Sequence, residues 1–286
     1  MLLKDKLLSS FLAFEDHLQA DSPLHDMRQN ALKTFEEKGF PTKKDEAWKY
    51  TSLQALLQNE YQLASKVAAS IELKDVRSYF LHDLDTYKVV FVDGVYSAFL
   101  SETTHDKIDV CLLSSALQKA KYRPVIEAYF NKITRAESLS SLNTAFAKEG
   151  AYIHIPRHKE ADKPIEILNF STGSETSLFL QPRNLIVLED NTQAQIIERH
   201  QSLNTQGTLT NTVSEIFVGK NAHLDYYKIQ NDQDNASLID STSIKQLGGS
   251  TASVHTFSLG GKLTRNNLTF SQTESGCNSI LLILKR

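Results

Sequence analysis

The second half of the chain consists of short strands in close succession, and this pattern limits the possible folds more than any other feature. No proline follows Pro182, and no long stretch with helical periodicity occurs after Ala151. The strand spacing, mostly about 9 to 15 residues, is typical of a sandwich, a barrel or a β-solenoid rather than an α/β enzyme core. The predicted strands are centred near Ile153, Ile167, Phe179, Val187, Ile196, Phe217, Tyr226, Ile239, Val254, Leu268 and Leu281.

The turns between these strands favour the solenoid, although a sandwich and a barrel stay open. After residue 150 the chain has no Asn-Gly or Asp-Gly dipeptide, which is the strongest short hairpin signal. The turns instead carry Asn191, Asn221 and Asn231. Asparagine tolerates the backbone of a sharp corner, so these residues suit the corners between stacked coils.

The sequence stops inside the apolar run from Ile280 to Leu284. A stack of coils exposes apolar side chains and unpaired backbone at any end that is not capped. We therefore expect a solenoid that is incomplete at its C-terminal end and prone to self-association there.

Composition excludes several classes of partner. The chain has 286 residues, of which 41% are hydrophobic, and 31 Lys and Arg residues stand against 34 Asp and Glu residues. A sizeable core is therefore available, and neither nucleic acid nor an anionic membrane is favoured as a partner. The N-terminus resembles an amphipathic helix, because Asp5, Glu15 and Asp16 interrupt its apolar residues before a signal peptide could form. Cys111 and Cys277 lie far apart, which fits a reducing, cytoplasmic compartment.

The first half divides into two predicted parts, residues 1–75 and 76–150, ahead of the strand region at 151–286. The first part is helical by periodicity, and Gly39 with Pro41 ends its second helix. Trp48, the single tryptophan, is interpreted as an aromatic anchor that docks this part on the rest.

The connecting part mixes helix and strand. Asp93-Gly94 between two apolar runs predicts a β-hairpin. Apolar residues on one face predict helix across residues 112–146, and Gly150 is the expected end of this helix.

The histidines of the strand region show no metal-binding spacing. Only His154 and His158 are four residues apart, which is the spacing of two metal ligands on one face of a helix. Pro156 lies between them and disfavours a helix there. The remaining three, His200, His223 and His255, are scattered. We therefore predict no metal site made by this chain alone.

Other candidate residues likewise form no diagnostic active site. Cys277 and Cys111 are interpreted as small buried hydrophobes, with a reactive thiol at Cys277 as the alternative. The segment 260–265 lacks the spacing and the following helix of a phosphate loop. No carboxylate pair typical of polysaccharide hydrolysis stands out among Glu189, Asp190, Glu198, Asp225 and Asp240. No catalytic, cofactor-binding or metal-binding residue is predicted.

Six segments, taken in order, resemble the SufB/SufD family of iron-sulfur cluster assembly scaffolds, most closely its SufD members. They are EAWKYTSL at 46–53, VVFVDGVY at 89–96, LNTAFA at 142–147 followed by Gly150-Ala151, KPIEI at 163–167, NAHLDYYKI at 221–229 and LGGKLTRNNL at 259–268. Each segment alone is weakly specific, but their order along nearly the whole chain is specific.

The resemblance implies a mainly β protein with a helical N-terminal domain followed by a right-handed parallel β-helix. It implies a non-catalytic scaffold subunit that joins SufB and the ATPase SufC in a cytoplasmic complex. That complex assembles iron-sulfur clusters and passes them to carrier proteins. The resemblance also implies that SufB mainly holds the cluster and that this chain alone binds no cofactor.

The chain departs from the family pattern at its end. Family members continue into further coils and a helical domain that docks SufC, so we expect a C-terminally truncated member with weak or no SufC binding. The alternative from another class is a β-helix enzyme acting on polysaccharide.

Overall fold

The computed structural model describes residues 3–16, 24–63, 71–103, 107–172, 177–204 and 207–286. Short 3-10 helices occur at Glu46–Trp48, Arg77–Tyr79 and Ala120–Tyr122. The α-helices are α1 (Leu3–Asp16), α2 (His25–Lys38), α3 (Gln54–Leu57), α4 (Leu73–Val76), α5 (Leu113–Gln118), α6 (Arg123–Tyr129) and α7 (Ser138–Phe146). The strands are β1 (Gln62–Leu63), β2 (Tyr87–Val92), β3 (Val95–Tyr96), β4 (Asp109–Leu112), β5 (Ala151–Ile155), β6 (Ile165–Ser171), β7 (Leu178–Leu180), β8 (Arg183–Leu188), β9 (Gln193–Ser202), β10 (Thr208–Val218), β11 (His223–Gln230), β12 (Ala236–Gln246), β13 (Thr251–Ser258), β14 (Leu263–Gln272) and β15 (Asn278–Lys285).

From β8 onward, successive strands alternate between two parallel sheets. One sheet, called sheet A, runs β4-β5-β8-β10-β12-β14, with β7 and β1 beside the start of β10. The other, called sheet B, runs β3-β2-β6-β9-β11-β13-β15. Among the described strands, pairing is antiparallel only where β4 and β3 join their neighbours, at the N-terminal edge of each sheet. One isolated antiparallel bridge joins Lys88 to Glu102. The chain therefore winds as a parallel β-solenoid of about four turns after N-terminal helices, which confirms the expected fold class. The hand of the winding stays a prediction.

Every predicted strand centre lies in a strand, from β5 to β15. Alternation of side chains decides which residues fill the interior. In β11, Leu224 and Tyr226 point inward and are buried, whereas His223 points outward and is exposed. One part of the interior is an apolar core that includes Ile153, Ile186, Ile196, Ile216, Ile244 and Val254.

A stack of left-handed residues forms one corner of the solenoid. Asn191 and Asn221 each have φ of 55°, and Gly249 and Gly276 take positive φ in the next two turns. The side-chain amide of Asn221 donates to Oδ1 of Asn191 at 3.2 Å, thirty residues away along the chain. Asparagine and glycine are the residues that adopt this conformation most readily. Asn231 also lies in a corner, between β11 and β12, but without positive φ.

A helical layer covers the outer face of sheet A. Leu7 and Phe11 of α1, Phe35 of α2 and Phe146 of α7 share a buried cluster with Phe179, Leu209 and Ile239 of the sheet. Trp48 belongs to the same cluster, and the guanidinium of Arg265 lies 4.0 Å from its ring centroid. The predicted aromatic anchor therefore contacts β14. Two of the six segments described above, 46–53 and 259–268, meet at this contact. The predicted boundaries near residues 75 and 150 stay predictions.

The connecting part differs from its prediction in detail. Residues 112–146 form three separate α-helices and a short 3-10 helix rather than one helix, because Pro124 falls at the start of α6 and Asn131 takes positive φ after it. Gly150 does not end α7, which stops at Phe146. A Cβ at Gly150 would lie 1.7 Å from the carbonyl oxygen of Arg183, so close backbone approach explains this glycine.

Two local predictions are confirmed. Gly39 ends α2 with φ of 65°, and its N–H donates to the carbonyl of Phe35 at 2.7 Å. Asp93 and Gly94 both take positive φ between the antiparallel strands β2 and β3, as a tight primed turn requires.

The corner stack generates a prediction about Asn221. Asn221→Ala places a Cβ-bearing residue without a local hydrogen bond at positive φ, so we expect a loss of about 1 kcal/mol in the free energy of unfolding. Asn221→Gly is the matched control, because Gly249 holds the same position in the next turn. Urea denaturation of both variants measures the difference, and equal stability of the two would contradict the corner role.

Candidate functional site

Charged side chains from both sheets meet inside the solenoid, next to the apolar core. Glu198 of β9 and Lys228 of β11 are neighbours in sheet B, and Asp240 approaches from β12 of sheet A. All three point inward by the alternation of their strands. We call the whole group the lumenal charge cluster, and its members are Asn184, Glu198, His200, Tyr226, Lys228, Asp240 and Thr242.

The ammonium group of Lys228 lies at the centre of the cluster. It forms an ion pair with Oδ2 of Asp240 and donates to the hydroxyl of Thr242 at 2.6 Å. Its Nζ is also 3.8 Å from Oε2 of Glu198. The side chains of Lys228, Glu198 and Asp240 are 8%, 0% and 2% exposed. Such charges are tolerated in an interior only when they are paired and hydrogen-bonded.

The carboxylate of Glu198 has further partners. Nε2 of His200 lies 3.1 Å from Oε1 of Glu198, and the side-chain amide of Asn184 donates to the same oxygen at 3.2 Å. The hydroxyl of Tyr226 donates to Oε2. Asn184 in turn donates to Ser214 of β10 at 3.1 Å. The cluster thus ties β8, β9, β10, β11 and β12 to one another across the interior.

These contacts set the protonation states. Burial alone would raise the pKa of Glu198, but Lys228, His200 and Tyr226 together lower it to about 2. Burial alone would lower the pKa of His200, but the hydrogen bond and charge of Glu198 outweigh burial and raise it. Burial raises the pKa of Asp240 despite the nearby Lys228. Burial and then Glu198 raise the pKa of Tyr226 well above its ordinary value, so the phenol stays a donor.

The geometry of the cluster indicates a structural role. Its charged atoms are buried and already hold one another, so a substrate in solution cannot reach them. Glu198 and Asp240 are separated by Lys228, which is not the arrangement of a carboxylate pair that hydrolyses a glycosidic bond. Across the part of the chain that the structure describes, no group of three or more His, Cys, Asp or Glu residues could hold a metal ion.

A second, smaller group surrounds His154 on the outer side of sheet A. Its Nδ1 lies 3.3 Å from Oδ2 of Asp109 and its Nε2 lies 3.1 Å from Oε1 of Glu189. Lys121 and the Tyr122 hydroxyl also contact Asp109, at 2.6 and 3.2 Å. With both ring nitrogens of His154 engaged, the group links β4, β5 and the corner after β8.

The other histidines and carboxylates considered in the sequence lie apart from both groups. Asp190 pairs with Arg157 at 2.9 Å, and the backbone N–H of His158 donates to the carbonyl of Asp190. His255 stacks on Tyr227 on the outer face of sheet B, with ring centroids 4.9 Å apart. His223 and Asp225 also point outward from β11, and His223 is exposed.

Neither cysteine lies in a shared site. Both are free and partly buried. Burial raises the pKa of the Cys111 thiol. Cys277 lies in the turn before β15, and its Sγ donates to the carbonyls of Leu247 and Glu274. The segment 260–265 spans the end of the corner between β13 and β14 and the first residues of β14. In this corner the side chain of Gln230 donates to the Gly260 carbonyl at 2.9 Å.

Sequence reasoning weighed Glu198, His200 and Asp240 separately and missed that Lys228 joins them. A usable signal exists, because each charge occupies an inward position of its strand. Once strand boundaries are fixed, a period of two marks Glu198 with Ile196, and Lys228 with Tyr226, as interior residues.

The terminal coil exposes an apolar surface. Among the described strands, β14 pairs only with β12 and β15 pairs only with β13, so the far edges of both are unpaired. Side chains from Ile280 to Leu284 are 44% to 54% exposed. An unpaired edge with apolar side chains is a template for pairing with another strand. We call β14 and β15 together the terminal edge. None of the described helices is long and apolar enough to cross a membrane.

Comparison with known proteins gives consistent matches. The model of the SufBD protein N-terminal region matches residues 1–167, and that of the SufBD core domain for SUF system FeS cluster assembly matches residues 170–285. A SufBD family protein of iron-sulfur cluster assembly from Synechocystis is 30% identical over 273 residues, covering 92% of this chain and 60% of that protein. SufD of Escherichia coli is 27% identical over 257 residues, covering 89% of this chain and 57% of that protein. SufD of Bacillus subtilis is 24% identical over 229 residues, covering 77% and 51%. The chain thus spans less than two thirds of the length of these relatives.

The cluster geometry predicts the effect of removing its central cation. Lys228→Met leaves Asp240 buried beside no cation, and breaking such a pair costs about 3 to 5 kcal/mol of unfolding free energy. The matched control is Lys74→Met, because Lys74 pairs with Glu72 at the surface, where both side chains are about 70% exposed. Urea denaturation tests both variants. A Lys228→Met protein as stable as the control would contradict the role of Lys228.

Proposed function

This chain belongs to the SufBD family of iron-sulfur cluster assembly proteins, and we propose that it acts as a SufD-like, non-catalytic scaffold subunit. Its task is to support cluster assembly within a complex and the transfer of clusters to carrier proteins. The observation that carries the proposal is the parallel solenoid within a chain that both family models match.

The geometry of the two ends of the solenoid supports a scaffold role. At the N-terminal end, antiparallel β3 and β4 complete the sheets, and helices cover the outer face of sheet A. The terminal edge instead offers free backbone groups and apolar side chains. Such an edge suits a partner that continues the strand stack. We infer that SufB, itself a member of this family, is that partner and that a second copy of this chain competes for the edge.

The complex includes the ATPase SufC, by resemblance to the family, and acts in the cytoplasm. The iron-sulfur cluster is its product and cargo. We infer that SufB mainly holds the nascent cluster, because Cys111 and Cys277 of this chain lie in separate surroundings. The chain itself contributes shape and contact surface.

Co-expression with SufB and SufC tests the partner assignment. We expect SufB to co-purify with the tagged chain, and a Leu281→Ser, Ile283→Ser double variant to reduce its recovery at least about tenfold. Leu281 and Ile283 both point from β15 toward the interior, where a further coil would stack on them. Phe99→Ser is the matched control, because Phe99 is 79% exposed but lies far from the terminal edge.

The control must bind SufB like the unchanged chain. SufB that fails to bind the unchanged chain, in cells where a full-length SufD captures it, would contradict the scaffold assignment. Equal SufB recovery with the double variant would contradict the terminal edge as the contact surface.

Anaerobic incubation of the purified chain with iron and sulfide tests cluster holding. We expect no sulfide-to-iron charge-transfer absorbance above that of a Cys111→Ser, Cys277→Ser variant, because no described group of residues provides a ligand set. Stable absorbance that both serine substitutions abolish would show that this chain holds the cluster itself.

A further inference from the structure

Charge balance inside the solenoid depends on one proton. The lumenal charge cluster holds two carboxylates, Glu198 and Asp240, and one ammonium group, that of Lys228. His200 is the remaining group that can supply a second positive charge, and its Nε2 contacts Glu198 at 3.1 Å. The side chains of His200 and Glu198 are 7% and 0% exposed. With both carboxylates ionised, the cluster is neutral when His200 is protonated and carries a buried net negative charge when it is not.

We propose that His200 is a pH-sensitive element of the solenoid interior: its proton balances the charge of Glu198, a carboxylate that β8 and β11 also contact, and loss of that proton lowers the stability of these coils. The contact is with a carboxylate that three other residues already fix in place. Glu198 cannot turn toward solvent when His200 becomes neutral. The uncompensated charge must then stay in the interior, and this lowers the stability of the folded state.

The groups that face His200 from the neighbouring elements favour its cationic form. Glu198 lies on its own strand, Lys228 and Tyr226 on β11, and Asp240 on β12. Asp232, in the corner after β11, adds a further negative charge toward His200. On the other side, β6 presents Asn169, which is neutral, beside His200. The acids outnumber the single cation, Lys228.

The direction of the pH dependence follows from these contacts. Burial opposes protonation of His200, but Glu198 outweighs burial, so its folded-state pKa is raised above 6.5. Its contribution to stability is fully present below 6.5 and is lost as the pH rises through the folded-state pKa. Within that window, one linked proton changes the unfolding equilibrium constant by up to about tenfold per pH unit.

The acid side behaves differently. The pKa of Glu198 is lowered from 4.5 to about 2, so its contribution is fully present above 4.5 and is lost as the pH falls toward 2. The pKa of Asp240 is raised above 3.8, so its contribution also declines as the pH rises through its folded-state pKa. Glu198 and Asp240 therefore change the stability in opposite directions as the pH falls.

Urea denaturation of the full chain across pH tests the proposal, with His200→Gln as the variant. The Gln amide can still donate to Glu198 but cannot gain a proton. We expect the urea midpoint of the unchanged chain to fall between about pH 6 and about pH 9, and His200→Gln to flatten that dependence. His223→Gln is the control, since His223 is exposed on β11 of the same sheet. The His223→Gln protein should show the same dependence of the urea midpoint on pH as the unchanged chain.

A second measurement uses only the unchanged chain, so it does not depend on whether a variant folds. NMR titration of the unchanged chain should show the His200 ring titrating above 6.5. A His200 ring that titrates at or below this value would overturn the proposal. A His200→Gln protein that folds and keeps the full pH dependence would overturn it as well.

Discussion

The ion pair between Lys228 and Asp240, with Glu198 beside it, is the contact on which the interior of the solenoid depends. The three groups come from β11, β12 and β9, so they join both sheets across successive turns. An isolated charge in such surroundings would be prohibitively unfavourable. The alignment of the coils is therefore fixed by electrostatics as well as by apolar packing: a slip by one residue would turn Lys228 outward and leave the carboxylates unpaired.

The apolar core, the stacked corner and the helices outside sheet A are arranged around this charged interior. The apolar core fills one part of the lumen and the charge cluster the other. The stacked corner of Asn191, Asn221, Gly249 and Gly276 keeps successive turns in step. Outside sheet A, α1, α2 and α7 bury the face that a lone solenoid would expose. Arg265 on Trp48 connects the N-terminal segment to the terminal edge.

Strand periodicity, turn residues and the absence of late prolines are local signals, so the sequence located the strands and favoured a solenoid over a sandwich or a barrel. The resemblance to the family then specified the parallel β-helix. The sequence also located the Asp93-Gly94 hairpin and the Gly39 helix end. It could not divide residues 112–146 into three α-helices and a short 3-10 helix, since that break depends on where Asn131 and its neighbours contact Glu215 of β10. The role of Gly150 was equally hidden, because it depends on the backbone of Arg183 in another turn. The charge cluster was missed for the same reason: its members are distant in sequence, and only the register of the coils brings them together.

A double-mutant cycle on Lys228 and Asp240 tests the central claim most directly. The variants are Lys228→Met, Asp240→Leu and the two combined, with the free energy of unfolding measured for each. Each single variant leaves the other charge without its partner, whereas the double variant removes both, so the double should be far less destabilised than the sum of the singles. We predict a coupling energy of at least about 2 kcal/mol. A coupling energy below about 0.5 kcal/mol, with additive single effects, would contradict the claim that this ion pair holds the interior together.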